Sequence, residues 1–180
     1  MASASPRRSD LLRWAGVSFE VNPASIEENR KPGESPIVYA TRLATEKALV
    51  RGSTPRLALG ADTTVFIGDR VFDKPDSPKE AASHLADLNG QTHQVVTAFC
   101  LAAGGRALKS EAVVSRVTFR SLSQREIDSY IADGEGLDKA GAYGLQGMGG
   151  FLVESIEGSY TNIIGLPLKE VLAALAEMGA

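Results

Sequence analysis

Residues 57–75 read LALGADTTVFIGDRVFDKP, a strand-like pattern interrupted by a lone carboxylate and one sharp turn. Leu57–Gly60 is a short apolar run, which predicts a buried strand ending at Asp62. Thr64–Phe72 contains Gly68-Asp69, a plausible hairpin turn between two strands. Asp62 then stands at the carboxyl end of a strand, where open α/β sheets collect their ligands. Lys74 follows a strand directly, and Pro75 stiffens the chain behind it.

On either side, helical and strand-like periods alternate, the mark of a mixed α/β domain. Ser5-Pro6 offers an N-cap with proline at the first helical position; Leu11, Leu12 and Ala15 share a face, and Gly16 supplies a stop. Val17–Asn22 reads as a short strand and Pro23–Glu34 as a polar loop. Ser35-Pro36 repeats the cap signal and predicts a helix through Tyr39, Arg42, Leu43, Glu46 and Lys47 to about Arg51. Ser77-Pro78-Lys79-Glu80 is a capping box for a helix burying Ala81, Leu85 and Leu88. His93–Ala103 and Leu108–Phe119 are β-rich, with Gly104-Gly105 as the turn between them. Ser123-Gln124-Arg125-Glu126 is a second capping box, for a helix ending near Gly134. Gly134–Gly150 holds seven glycines in seventeen residues, too many for a helix or strand, and reads as a loop that approaches something closely. Phe151–Glu157 is a further strand. Pro167–Met178 is a closing amphipathic helix with Leu168, Val171, Leu172 and Leu175 inward.

The 180 residues suit one domain or two small lobes, and 43% hydrophobic with 23% charged residues excludes a disordered or fibrous chain. One cysteine, Cys100, excludes an intramolecular disulfide framework and fits a reducing compartment such as the cytosol. A net charge of −3 gives no global basic field for nucleic acid. No apolar run approaches a membrane span. MASASPRRSD lacks the apolar core of a secretory signal, so none is expected.

Four segments carry chemistry. In Ser3-Ala4-Ser5-Pro6-Arg7-Arg8, hydroxyls precede a helix N-terminus and two cations stand in its first turn. The cations oppose the helix dipole unless an anion joins them, so phosphate binding competes with an ordinary exposed basic turn. Asp62 in Gly60-Ala61-Asp62-Thr63-Thr64 could bind a hard divalent cation or accept a proton from water, but taken alone it reads more readily as a turn aspartate or as a cap on the next element. Lys74 in Asp73-Lys74-Pro75 suits phosphate charge or simply solvent. In the segment from Asp138 and Lys139 to Gly147, small residues let the main chain wrap a ligand, and the Gln146 amide can read a donor–acceptor edge such as a pyrimidine's. The phosphate-loop pattern GxxxxGK[ST] and the dinucleotide pattern GxGxxG are both absent. Cys100, His84, His93, Trp14 and Tyr39 read as packing residues. Glu27-Glu28 is solvated or part of a metal site.

Taken in order, ASASPRR at 2–8, Glu46-Lys47-Ala48, GADT at 60–63, DKP at 73–75, GQTHQVVT at 90–97, GEGLDKAGAYGLQG at 134–147 and GSYTNIIGLPL at 158–168 resemble the Maf nucleotide pyrophosphatases over nearly the whole chain. The resemblance implies an elongated mixed α/β fold, with a central mixed sheet and a deep cleft between two lobes of one domain spanning 1–180, similar to inosine triphosphate pyrophosphatases. It implies a cytoplasmic, divalent-metal-dependent hydrolase (Mg or Mn) that converts a nucleoside triphosphate to monophosphate and pyrophosphate. Lys139, Tyr143 and Gln146 place it beside the dTTP/UTP subgroup, as a house-cleaner of the nucleotide pool. By the same resemblance Asp62 is the catalytic acceptor and, with Glu28, near the metal. Arg7, Thr63 and Gln146 are specificity positions, and Ser3, Lys47 and Lys74 hold the triphosphate. A homodimer is a family-level expectation; nucleic acid and membrane are not expected partners. A nucleotide-binding regulator of cell division is the alternative role. Members of the family resembled carry apolar residues before ASASPRR as a first strand; here Met1 directly precedes Ala2, so either the start is misassigned or that strand beside Ser3 is shortened.

Overall fold

The computed structural model describes residues 1–179. Its elements are α1 Pro6–Trp14, α2 Pro36–Arg51, β1 Ala58–Ile67, β2 Arg70–Phe72, α3 Pro78–Leu88, β3 Thr92–Ala103, β4 Arg106–Phe119, α4 Gln124–Asp133, β5 Val153–Glu157, α5 Tyr160–Ile164 and α6 Leu168–Glu177. The five strands lie in the order β2-β1-β3-β4-β5, and the pairings β1–β2 and β4–β5 are antiparallel. The mixed α/β class expected from the sequence holds. The chain clusters into two compact units. One comprises Met1–Thr63, Val96–Val113 and the chain from Thr161 onward; the other comprises Thr64–Val95 and Val114–Tyr160.

In the first unit the strands carry helices on both faces. Leu59 and Ala61 of β1 and Phe99 and Leu101 of β3 pack with Leu11 and Leu12 of α1 and Val171, Ala174 and Leu175 of α6. These are alternate strand positions, as a pleated strand requires. The intervening positions serve the opposite face, where Cys100 and Ala102 pack with Ala48 of α2. Gly60 lets α2 lie down there, since a Cβ at that position would stand 2.2 Å from the Ala44 carbonyl oxygen and 2.5 Å from the Ala48 nitrogen. Both faces being covered, β3 is buried almost without interruption.

In the second unit α3 packs against α4 and against the 3₁₀ turn Ala140–Ala142 of the glycine-rich loop. The Ser123–Glu126 capping box is complete, and α4 ends at Gly134 with φ +79°. At α3 the box is partial. Ser77 accepts from the Glu80 amide, but the Glu80 carboxylate accepts from Asp76 rather than from Ser77. Gly104 and Gly105 have φ of +58° and +76°, as a tight hairpin with two left-handed residues demands.

Three expectations are corrected. β1 does not end at Asp62 but runs on to Ile67, because Thr63–Ile67 are strong strand formers and α2 provides a partner for the carboxylate. No strand forms over Val17–Asn22. That segment lies along residues 1–2, with Asn22 N donating to Met1 O at 2.9 Å and Ala24 N to Ala2 O at 3.4 Å, a partner too short for a ladder. Residues 1–2 still bond on their other side, Ala2 N donating to Leu59 O at 2.8 Å. Trp14 does not pack; it is 70% exposed. At 100° per residue it sits about 110° off the stripe centred between Leu11 and Leu12.

Candidate active site

Lys47 and Asp62 form the centre of the first unit's polar groups. α2 begins at Ser35, whose hydroxyl accepts from the Val38 amide, and places Lys47 three turns on, above the Gly60 face of β1. Asp62 lies on that same face, two residues along. Lys47 Nζ donates to Asp62 Oδ1 at 2.7 Å and stands 2.9 Å from Glu28 Oε1. Lys47 and Asp62 are both buried, whereas the Glu28 side chain is half exposed. One ammonium stands between two carboxylates, with the buried Arg8 guanidinium within electrostatic reach of both, and the place is open to solvent on the Glu28 side.

The loop carrying Glu28 is fastened to α2. The Tyr39 hydroxyl donates to the Glu28 carbonyl at 2.6 Å, and Arg42 donates to the Asn29 carbonyl at 2.9 Å. Arg42 also grips Glu34 with two bonds, at 2.7 and 2.9 Å, a bidentate geometry that fixes direction as well as distance. That guanidinium holds the Glu34 carboxyl down at about 2. Tyr39 packs as the sequence suggested, and its hydroxyl has this further task.

Ser3 and Thr63 meet through Arg8 rather than Arg7. Arg8 donates from Nε to Gly165 O at 2.7 Å, from Nη1 to Ser3 Oγ and Ala61 O, both at 2.9 Å, and from Nη2 to Thr63 Oγ1 at 2.9 Å. Burial pulls its pKa down from the ordinary arginine value, with the charge of Asp62 opposing. Arg7, the residue singled out from the sequence, is half-buried one position earlier on α1, about 100° round the helix. Ser3 Oγ accepts from Arg8 and from the Ser5 amide, so its own hydrogen is left for an acceptor. Thr97 gives its hydroxyl hydrogen to Asn162 O at 2.8 Å, so in its 2.9 Å contact with Thr63 it must accept. The Thr63 hydrogen is therefore spent inside the protein, and this hydroxyl can meet a ligand only as an acceptor. The cap expected from Ser5 is made by its backbone conformation alone, without a side-chain bond.

Lys74, Lys139 and Gln146 belong to the second unit. Lys74 is exposed just beyond β2. The glycine-rich loop is tied to the neighbouring residue, Gly141 N donating to Asp73 O at 3.3 Å. Gly141 has φ +71°, and a Cβ on it would meet Val65 of β1 at 3.0 Å. Tyr143 is buried, edge-on to Phe119 and His93, with its hydroxyl 2.8 Å from His93 Nε2. The Lys139 ammonium is held by the Glu135 carbonyl and by the Asp138 carboxylate. Gln146 is half-buried.

The sequence does not single out Arg42 or Glu135, and it offers Arg8 only with Arg7, as one of two first-turn cations. Arg8 is adjacent to a chosen residue, and only the helix period separates the two. Arg42 and Glu135 act through tertiary bonds that leave no local pattern. His84 packs edge-on to Phe72, and burial pushes the Cys100 thiol up, so both behave as packing groups. Among the described residues no three histidine, cysteine or acidic side chains converge as a metal cage. Among the described residues no helix is long and apolar enough to cross a membrane.

Curated relatives align over almost the full length. A dTTP/UTP pyrophosphatase of Escherichia coli O157:H7 is 47% identical, covering 100% of this chain and 92% of its own. One from Alcanivorax borkumensis is 45% identical (97% and 92%), and one from Syntrophomonas wolfei 46% (99% and 96%). A solved dITP/XTP pyrophosphatase from Mycobacterium abscessus superposes with a TM-score of 0.41 at 16% identity, covering 98% of this chain and 95% of its own. The family model described as Maf-like protein matches residues 1–178. With that match spanning α1 to α6, and relatives close to half identical, the chain belongs to the Maf-like protein family.

Proposed function

We propose that this protein is a nucleoside triphosphate pyrophosphatase that clears dTTP and UTP from the cytoplasmic nucleotide pool, working as a single catalytic domain. The observation that carries the proposal is Lys47 held between Asp62 and Glu28 at 2.7 and 2.9 Å. Full-length relatives named dTTP/UTP pyrophosphatase support the substrate class.

Two hard carboxylates suit Mg²⁺ or Mn²⁺, since such ions are commonly held by one or two carboxylates together with substrate phosphates rather than by a protein cage. Asp62 and Glu28 would hold the cation, which when bound offsets the phosphate charge that repels a nucleophile. Asp62 orients a water and accepts its proton as the water oxygen bonds to the α-phosphorus. The bond from that phosphorus to the β-bridging oxygen breaks, and pyrophosphate leaves with the electron pair. Lys47 stabilises negative charge growing on the phosphates and keeps Asp62 aimed. Ser3 donates its remaining hydrogen to a phosphate oxygen. Arg7, Lys74 and Lys139 meet anionic charge, Thr63 accepts from the substrate, and Gln146 reads the base edge.

Incubation with a panel of nucleoside triphosphates and Mg²⁺ or Mn²⁺ in ¹⁸O-water tests the assignment. The expected products are monophosphate and pyrophosphate in equal amounts, with dTTP and UTP favoured and the label in the monophosphate. Label in pyrophosphate, release of orthophosphate, or a preference for inosine or methylguanosine triphosphate would contradict it.

A further inference from the structure

Glu135 opens the glycine-rich loop, and its carboxylate is turned into that loop. Oε2 accepts from the Met148 amide at 2.7 Å, and Oε1 from the Gly149 amide at 3.0 Å. The Tyr130 hydroxyl donates to Oε1 at 3.2 Å and accepts from the Gly144 amide at 3.3 Å. These bonds bracket Leu145-Gln146-Gly147 on both sides. Gly147 has φ +92°, and a Cβ there would stand 2.4 Å from Glu135 Oε2, so the chain can lie on the carboxylate only as glycine. The stem of Lys139 rests against Gly144, where a Cβ would meet its Cε at 2.8 Å. The Lys139 ammonium in turn bonds the carbonyl of Glu135 itself. One residue thus touches the backing of both loop side chains assigned to the substrate.

We propose that Glu135 is a positioning residue for base recognition, its carboxylate fixing the main chain on each side of Gln146 so that the amide meets the base in one orientation. The inference rests on the pyrophosphatase assignment above. An amide discriminates by where its oxygen and its NH₂ point. Uracil and thymine offer a carbonyl beside a ring N–H, and cytosine offers the reverse pair. An amide free to rotate would satisfy both, so discrimination requires that the loop be held.

Steady-state kinetics with UTP and CTP on Glu135→Gln test this. The carboxamide has one oxygen, so it can accept from Met148 or Gly149 but presents NH₂ to the other. In the variant the KM for UTP rises by about tenfold or more while kcat stays within about threefold, and the UTP-over-CTP preference falls by roughly tenfold. In a Gln146→Ala background the same substitution changes that preference by less than about twofold, because a residue acting through Gln146 has nothing left to act on. A folded Glu135→Gln enzyme with unchanged KM and preference overturns the inference, as does an equal loss in both backgrounds. Should Glu135→Gln not fold, Tyr130→Phe removes only the hydroxyl bonded to the carboxylate and to Gly144. It must lower the preference in the same direction, and an unchanged preference overturns the inference. Inactivity of the unsubstituted chain toward every nucleotide overturns the parent assignment and this inference with it. An active chain indifferent to these changes overturns this inference alone.

Discussion

Single residues carry more than the sequence let on where their partners are distant. Arg7 and Arg8 are indistinguishable as letters, yet Arg8 takes four bonds to three other segments of the chain. Trp14 is the reverse, an aromatic that looked like packing and faces solvent. His93 was rightly read as a packing residue, and its surroundings have a consequence for acid stability. It is enclosed edge-on by Phe119 and Tyr143, and burial lowers its pKa from 6.5 to about 4. The unfolded chain therefore binds a proton on this ring between about pH 6.5 and 4 that the folded chain refuses. Stability is full above pH 6.5 and falls on acidification through that window, by about 3 kcal/mol in total. Urea unfolding of the parent and of His93→Gln at pH 7, 5.5 and 4.5 measures this. The parent loses stability across the series and the variant lacks the His93 share of the loss; identical slopes would refute the account.

At the scale of elements, local signals were legible where one residue type has one physical use. The caps at Ser35 and Ser123, the left-handed stop at Gly134 and the hairpins at Gly68 and Gly104-Gly105 all stand where the sequence put them. What failed depended on an element's neighbour. β1 was cut short at Asp62 because a carboxylate interrupts an apolar run, and nothing local announces that Lys47 of α2 will pair with it. Gly60 is the reason the two meet. With Cβ distances of 2.2 and 2.5 Å to backbone atoms of Ala44 and Ala48, Gly60→Ala must push α2 away from β1. The substitution should cost about 1–3 kcal/mol, the range for overpacking a tight interface, and lower turnover by loosening the Lys47–Asp62 contact. Chemical denaturation and turnover measured on the same sample check both. Unchanged stability would mean that α2 is not held as described.

For the whole molecule, the alternation of helical and strand periods was enough to give the α/β class, and the ordered motifs were enough to give the family. The division into two units was less legible. β1, β3 and β4 each contribute residues to both, so no linker or composition shift marks a boundary in the sequence. The candidate site was legible as a set of residue types and illegible as a network, because Tyr39, Arg42, Glu135 and Arg8 act by bonding across the fold. The central claim of the proposed function is that Asp62, held by Lys47, handles the attacking water. Pyrophosphate release from dTTP and UTP by the parent and by Asp62→Asn, assayed side by side with Mg²⁺ and with Mn²⁺, tests that claim most directly. The account predicts that the variant folds and loses turnover by at least about 10²-fold, the scale of a positioned acid–base group; near-parental turnover in the variant would contradict it.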